Sequence, residues 1–276
     1  MLKAFIVYIL VGIAIAGTSL QFANASAQSE DLKLLNQARK LYEKNQLDKA
    51  IEAYSKIPKA SDYWAESIEE TAWAHARKKD YEKAIATLKS VFNPVFAPYI
   101  GPETYVLSSF IELKLCDYKG AYDRIKTFKA EMLPRVEALE NIVNDKNLEF
   151  VNSWVQKLSS GSIKTADQLG KDINKLPRFI QRDTKKMTLA RMKELAKKDL
   201  EEISKNLKKM KIIEIEGTQR SYAYVKPDKT EKLKFDTRKS SDILVFPDEQ
   251  DGEVWLDEIG KYEVKASKCP TAGEKI

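Results

Sequence analysis

Apolar residues between Asp31 and Phe128 recur at helical spacing, and small residues interrupt them at regular intervals. Ala50 and Ala84 stand 34 residues apart, and Ala121 follows Ala84 by 37. Alanine allows two antiparallel helices to approach closely, and neither helix of such a pair buries its apolar stripe until the next pair stacks on it. The pattern therefore predicts three stacked helical hairpins.

Beyond Pro134 the sequence stays helical, but the 34-residue period is lost. The apolar pattern predicts a capping helix at Arg135–Leu158, a short helix at Ile163–Leu176 and a long helix at Arg182–Ile212. In the long helix the apolar residues alternate at steps of three and four. This spacing is typical of a brace packed along the hairpins or of a two-stranded coiled coil.

After residue 212 the spacing of apolar residues becomes strand-like, with Gly, Pro and Asp between short β-branched or aromatic runs. Gln250-Asp251-Gly252 is a hairpin signal between two of these runs. The predicted strands are Ile213–Glu216, Ser221–Val225, Leu233–Phe235, Ile243–Phe246, Glu253–Leu256 and Tyr262–Lys265. The predicted fold is therefore mainly α: a helical hairpin array, a long helix and a small C-terminal β module docked on the helices.

The first residues have the composition of a secretory leader. Lys3 precedes an uncharged apolar run, and small residues gather at Ala23–Ala27. This order predicts a signal peptide cleaved after Ala27; an uncleaved anchor is the alternative, although the apolar core is short for a span of about 20 residues. The predicted organisation is a leader at 1–27, hairpin repeats at 28–133, a helical extension at 134–212 and a β module at 213–276, in the periplasm or outer envelope.

The charge balance argues against a nucleic-acid partner. The chain carries 47 Lys and Arg against 41 Asp and Glu. The two signs alternate along the predicted helices, as they do on solvated faces with i, i+4 pairs. No basic stripe with interleaved aromatic residues is present in the sequence. We therefore expect no nucleic acid among the partners.

The sequence contains two cysteines, Cys116 and Cys269. Cys116 falls in the predicted turn of the third hairpin, where the other two hairpins have Asn45 and Lys79, so we expect it to be accessible. In an oxidising compartment two accessible thiols can form a disulfide, which would tie the C-terminal tail to the hairpins. Two free thiols are the alternative, because the sequence does not reveal the distance between the α-carbons.

The hairpin pattern resembles the tetratricopeptide repeat (TPR), a helical hairpin of 34 residues. The matched positions of the first two copies are Leu34, Ala38, Leu41, Ala50 and Tyr54, then Ile68, Ala72, His75, Ala84 and Leu88. The third copy has Tyr105, Ser109, Glu112, Ala121 and Ile125, among which Glu112 departs from the pattern. The usual family tryptophan is missing, and so is the Lys and Asn pattern that clamps a C-terminal carboxylate.

The TPR resemblance implies a groove lined by the first helix of each repeat, with a protein partner in that groove. The implied partner-binding residues are Leu35, Arg39, Tyr42, Glu69, Trp73, Val106 and Phe110. Large aromatic side chains beside an arginine are typical of binding hot spots. The alternative is that the long helix or the β module fills the groove from within, since a helix laid in a groove buries such residues.

The tail from Trp255 to Tyr262 is similar to the Trp-x-Asp-Glu-x-Gly-x-Tyr segment of secreted repeat proteins from gliding and predatory bacteria. This resemblance implies a non-catalytic protein with peripheral association to the cell envelope. The alternative is a protein that binds or acts on cell-wall polysaccharide through the β module. Its site would then contain Trp255, Asp257, Glu258 and Tyr262.

No motif in the sequence predicts an enzyme. The single histidine, His75, has no nucleophile or carboxylate motif beside it, and one His with two distant Cys has no metal-ligand spacing. Glu66, Glu69 and Glu70 gather on one predicted helix face, which we interpret as a solvated surface. We therefore expect a non-enzymatic scaffold, without metal or cofactor, that binds a protein partner through the groove.

Overall fold

The computed structural model describes residues 30–93, 96, 99–163, 166–183, 186–224, 243–246, 259–266 and 269, and these residues are mainly helical. The predicted leader lies outside them. The elements are α1 (30–43), α2 (Leu47–Ser55), α3 (Trp64–Arg77), α4 (Tyr81–Lys89), α5 (Pro102–Lys114), α6 (Tyr118–Val143), α7 (Leu148–Ser159), α8 (Leu189–Tyr224), β1 (Ile243–Phe246) and β2 (Glu263–Ala266). Two 3-10 segments, Ala166–Lys175 and Ile180–Arg182, separate α7 from α8. None of the helices described is both long enough and apolar enough to cross a membrane.

The chain folds into two compact units, which divide between Asp80 and Tyr81. The N-terminal unit contains α1 to α3, and the C-terminal unit contains α4 to α8 and both strands. In the N-terminal unit α2 packs on α3. Leu35, Tyr54 and Trp64 are among the side chains buried there. Burial of these large apolar surfaces supplies the main free energy that holds the three helices together.

The same backbone turn follows α1, α3 and α5. One residue in each turn has a left-handed conformation, with φ of 58° at Asn45, 63° at Lys79 and 60° at Cys116. The N–H of the next residue donates to the carbonyl five positions earlier, at 2.8–3.0 Å, which is the long hydrogen bond of a Schellman cap. The following helix begins two residues after the left-handed one. The turns thus recur at the predicted intervals of 34 and 37 residues, and the three alanines that mark the pattern are buried.

Helix α8 packs along α5 and α6 in the C-terminal unit. Its buried residues recur at helical spacing and share one core with Phe128 and Leu139 of α6. These residues of α8 are Met192, Ala196, Ile203, Met210 and Ile213. The amphipathic stripe of the long helix is therefore used within the chain, as expected of a brace.

Helix α6 runs through Pro134 to Val143, so the prediction of a new helix after this proline is wrong. Proline removes one helical hydrogen bond, that of the Ala130 carbonyl. Met132 and Leu139 are buried on either side of it, and this burial keeps the helix continuous. The break instead falls between Val143 and Leu148, and α7 follows it.

Helix α8 continues to Tyr224, so the predicted strand at Ile213–Glu216 is wrong, and so is the one predicted at Ser221–Val225 as far as Tyr224. Ile213 follows the buried Met210 by three residues and extends the same stripe. Packing against a neighbouring element decides between helix and strand where the local preference for a strand is weak. The short helix predicted at Ile163–Leu176 is a 3-10 segment, which Gly170 interrupts with φ of 55° and ψ of −139°.

The strands β1 and β2 form an antiparallel pair in which Ile243 faces Ala266 and Phe246 faces Glu263. This pair packs on α4 through β2. The backbone N–H of Ala266 donates to Oε1 of Glu82 at 2.8 Å, and that of Gly260 donates to Oγ of Ser90 at 2.8 Å. The predicted strands at 233–235 and 253–256 lie outside the described residues.

Candidate functional site

Helices α1 and α3 lie side by side in the N-terminal unit, and their contacts join residues about one repeat apart. Nε of Arg39 donates to Oε1 of Glu70 at 2.9 Å and to Oε2 at 3.1 Å. Nη2 of Arg39 also lies 3.5 Å from Oε1 of Glu66. Such a fork of donors on one carboxylate fixes the relative position of the two helices. Four of the predicted groove residues, Arg39 and Tyr42 on α1 with Glu69 and Trp73 on α3, are thus carried by one helix pair, here called the α1/α3 face.

Glu70 joins three elements of the N-terminal unit. Its hydrogen bond to Arg39 raises the pKa of that guanidinium. Burial raises the pKa of the Tyr54 hydroxyl far above its usual value, and a hydrogen bond to Glu70 adds to this effect. The interpretation of Glu66 and Glu70 as a solvated surface is therefore wrong, since both carboxylates are half-buried against Arg39.

A second contact between α1 and α3 lies three residues further along α1. The guanidinium of Arg77 stands 5.2 Å from the centre of the Tyr42 ring. Nη1 of Arg77 also donates to the backbone carbonyl of Tyr42 at 3.4 Å. A cation above an aromatic face adds about 0.5–1 kcal/mol at exposed sites. Tyr42 is therefore held in place and still partly exposed.

Trp73 follows Glu70 by one turn of α3 and precedes Arg77 by one turn. It therefore lies on the same face of the helix, between the two contacts to α1. Its side chain is half-buried. Among the residues that the structure describes, none accepts a hydrogen bond from its indole nitrogen. Trp154 differs, because it is buried and its indole donates to Asp172 at 3.3 Å. Trp73 thus presents an apolar ring and a donor to the surroundings, which is how tryptophan acts at interfaces.

Two of the predicted partner-binding residues are not available for a partner. Leu35 is 0% exposed in the N-terminal unit, and Val106 is 5% exposed in the C-terminal unit. Each belongs to the core of its own unit, because a helix that packs on two sides buries more than one apolar stripe. We therefore remove both from the set of candidate contact residues.

Helix α8 covers the predicted groove positions of the third hairpin. Nζ of Lys209 donates to Oε1 of Glu103 at 3.0 Å. A Cβ atom at Gly217 would lie 3.6 Å from Cδ1 of Leu113. The residues of α8 thus follow α5 from its first turn to its last. In the C-terminal unit α8 therefore packs along the helix to which the sequence assigned the groove positions of the third hairpin.

Phe110, the last predicted groove residue, lies at the side of α5 and is half-buried. Its ring meets that of Tyr81 edge to face, with centroids 6.5 Å apart. Nζ of Lys114 stands 5.1 Å from the ring centre. These contacts lie within the C-terminal unit, so we describe Phe110 separately from the α1/α3 face.

Glu112, the departure from the TPR pattern, is a buried acid that the sequence pattern did not explain. Its carboxylate accepts a hydrogen bond from Ser108 at 3.1 Å and lies 3.7 Å from Nη2 of Arg124. Burial raises the pKa of this carboxyl. The guanidinium of Arg124 in turn lies 3.6 Å from the centre of the Phe92 ring. An acidic side chain can stand where the pattern has an apolar one, because α6 supplies the guanidinium of Arg124 and α5 supplies the hydroxyl of Ser108.

The sequence pattern also did not predict a cluster of four charged residues that joins α6, α8 and the chain before Ile180. Asp199 of α8 accepts from Nη2 of Arg135 at 2.7 Å and from Nε of Arg178 at 2.9 Å. Nη2 of Arg178 also donates to Glu202 at 2.6 Å. Arg135, Asp199 and Glu202 lie on predicted helices and Arg178 lies between two of them, so no local pattern links the four residues, and only the folded chain brings them together.

Cys116 and Cys269 are joined by a disulfide, with α-carbons 5.5 Å apart. The expectation that Cys116 is accessible is wrong, because the side chain is only 4% exposed. The left-handed turn and the tail together cover it. Trp255, Asp257 and Glu258 lie outside the described residues, and Tyr262 is half-buried.

The single histidine lies near a carboxylate of the same unit. Nδ1 of His75 lies 3.8 Å from Oδ2 of Asp80, and the side chain is largely buried. In the part of the chain that the structure describes, no group of three or more His, Cys, Asp or Glu side chains has the arrangement of a metal site. Comparisons with protein-family models, with curated proteins and with solved structures found no match for this chain.

Proposed function

We propose that this protein is a non-enzymatic scaffold of the cell envelope, secreted across the inner membrane, that binds a protein partner. In this proposal the hairpins form a TPR-like array, braced by α8 and completed by a small C-terminal β module. The composition of the leader and the cysteine pair support an extracytoplasmic location. The repeated Schellman turns at intervals of 34 and 37 residues support the array.

We propose the α1/α3 face as the surface that receives the partner. The observation that carries this proposal is the position of Trp73, half-buried between two contacts that hold α1 against α3, with its indole donor unused among the described residues. Tyr42 and Arg77 stand beside it. Trp, Tyr and Arg are the residue types that dominate binding energy at interfaces. A partner would bury the exposed edge of Trp73 and accept its N–H.

The experiment is crosslinking in the native cell from a photoreactive amino acid at position 73, with position 49 of α2 as the matched control. Lys49 is exposed on a helix outside the α1/α3 face. We expect a discrete crosslinked protein from position 73 and none from position 49. The same product from both positions, or no product from position 73, would contradict the proposal.

The captured protein then allows a binding measurement with purified components. Trp73→Ala should weaken binding by about thirtyfold, which is the usual loss at a hot spot, and Lys49→Ala should change it less than twofold by the same standard. Circular dichroism and thermal unfolding show whether each variant keeps the native fold. Equal affinities of Trp73→Ala and the unchanged chain would exclude this face as the binding surface.

A further inference from the structure

A pocket of about 530 Å³ lies between α6 and the 3-10 segment Ala166–Lys175 of the C-terminal unit. Its volume is within the range of about 300–1,000 Å³ that is usual for small-molecule sites. Met132 and Ile100 contribute buried apolar surface, and the surrounding side chains are charged or amide groups. It is separate from the α1/α3 face and does not depend on the proposed function.

Opposite charges stand on the two walls of the pocket. Helix α6 contributes Glu131 and Glu137, whereas the 3-10 segment contributes Lys171 and Lys175. Lys175 is paired with Asp172 at 3.3 Å. The charged side chains of Lys171 and Glu137 have no hydrogen bond or ion pair with any described residue. Charges of opposite sign that face each other without pairing create a field across the space between them.

Amide groups add directional donors and acceptors to both walls. Asn141 of α6 and Asn174 of the 3-10 segment line the pocket, and neither side-chain amide hydrogen-bonds to another residue in the described ranges. Ala130 also lines it. Because Pro134 has no N–H, the Ala130 carbonyl lacks its usual helical donor.

A buried arginine holds the two walls together. Nη2 of Arg135, on α6, donates to the carbonyl of Leu176 at 2.7 Å, and Nη1 donates to that of Ile173 at 3.5 Å. The same guanidinium is anchored to Asp199 of α8. Arg135 also lines the base of the pocket. Since its side chain is 6% exposed, the spacing of the walls is set before any ligand arrives, which reduces the entropic cost of binding.

We propose that this pocket binds a short zwitterionic peptide. The ammonium group lies against Glu131 and Glu137, and the carboxylate lies against Lys171 with the Asn174 amide. The apolar floor receives the small side chains between the two ends. A ligand with both charges satisfies both walls at once, whereas a simple anion or cation is repelled by one of them.

The test is calorimetric titration of the purified full chain with trialanine, with N-acetyl-trialanine and with trialanine amide. We expect saturable binding of trialanine in the micromolar to millimolar range. Blocking either end should weaken it by at least about tenfold, as expected for loss of one charge-assisted contact. No saturable binding up to about 10 mM, where the binding free energy falls below that of a specific site, or equal binding of all three peptides would overturn the proposal.

Two variants test the orientation of the peptide. Glu137→Gln should weaken binding of trialanine and leave binding of N-acetyl-trialanine unchanged, and Lys171→Met should do the same with respect to trialanine amide. Lys119→Met is the matched control, because this exposed lysine lies outside the pocket and pairs with Asp123. If Glu137→Gln and Lys171→Met both bind all three peptides as tightly as the unchanged chain does, neither charged end of the peptide contacts these residues and the proposal fails.

Discussion

The carboxylate of Asp199 lies 2.7 Å from Nη2 of Arg135, and both side chains are 6% exposed. Arg135 is on α6 and Asp199 on α8, so this ion pair fastens the long helix to the hairpins. Arg178 adds a second guanidinium at 2.9 Å and donates its backbone N–H as well, at 3.0 Å. Removing charges from water is costly, and the cluster offsets that cost only because each group is bonded to several partners.

Asp199→Asn should be strongly destabilising. The change removes the carboxylate that both buried guanidinium groups share, and Arg178 keeps its ion pair with Glu202. We expect the free energy of unfolding to fall by about 3–5 kcal/mol, as it does when one partner of a buried pair is removed. Urea unfolding of both proteins measures it. Lys119→Met, at an exposed pair, serves as control and should change the free energy of unfolding by less than about 0.5 kcal/mol. If Asp199→Asn also changes the free energy of unfolding by less than about 0.5 kcal/mol, this account of the cluster is contradicted.

The same residue makes stability depend on pH on the acid side. Burial raises the pKa of Asp199, but the guanidinium groups of Arg178 and Arg135 outweigh it and hold the pKa below its ordinary value. A carboxyl with a lowered folded-state pKa stabilises the fold above its unfolded pKa of about 3.9, and this contribution is lost as the pH falls through the folded pKa. Unfolding measured from pH 6 down to pH 2, both approximate limits of this window, should show a steeper loss for the unchanged chain than for Asp199→Asn.

Glu112 should have the opposite effect. Burial raises its pKa, so the folded state binds a proton more tightly than the unfolded state, and stability falls as the pH rises from about 4.3 through the folded pKa. Glu112→Gln keeps an acceptor for Ser108 without the buried charge. We expect this variant to be more stable than the unchanged chain at neutral pH, with the difference shrinking toward pH 4 or so. Glu140→Gln, on the exposed side of α6, is the control; parallel pH profiles for all three would contradict the prediction.

Replacing two glycines by alanine, one at a time, should change the stability in opposite directions. A Cβ atom at Gly101 would overlap Nη1 of Arg178, and that guanidinium cannot move aside because Asp199 and Glu202 hold it. Gly101→Ala should therefore destabilise by about 1–3 kcal/mol, the usual cost of overpacking. At Gly217, inside α8, a Cβ atom would make ordinary contact with Leu113, so Gly217→Ala should stabilise by roughly 0.5–1 kcal/mol through helix propensity. Thermal and urea unfolding distinguish the two, and a shift of the same sign at both sites would refute the reasoning.

Reduction of the disulfide should release the C-terminal tail from the helical part of the chain. It joins residues 153 apart in sequence, and closing so long a loop stabilises a fold by roughly 4–5 kcal/mol in the chain-entropy model. Cys116→Ser, and treatment with a dithiol, should lower stability and open the segment 259–269 to limited proteolysis. The ends of α8 provide the internal control, since their cleavage should not change. Identical mobility of the unchanged chain and Cys116→Ser on a non-reducing gel would show that the bond does not form.

Local patterns in the sequence were sufficient for the spacing of the turns that follow α1, α3 and α5. The intervals of 34 and 37 residues, the small residue at each helix contact and the Asn or Lys at the left-handed turn position are short-range signals. A Schellman turn uses only backbone groups within six residues, so it can be recognised without knowing what packs around it. The amphipathic stripe of the long helix predicted packing within the chain for the same reason.

Tertiary packing alone decided which faces stay open. The residues of α8 that cover α5 lie about one hundred positions away in sequence, and no local pattern records that distance. The same holds for Glu66 and Glu70, which the sequence places on a polar face and the fold brings against Arg39, and for Cys116, which the tail covers. Sequence by itself determined the positions of the turns after α1, α3 and α5, because those depend on neighbours along the chain, whereas the ends of α6 and α8 depend on packing. The buried charges, the packing of α8 on α5 and the pocket depend on neighbours in space, and only the folded chain brings these together.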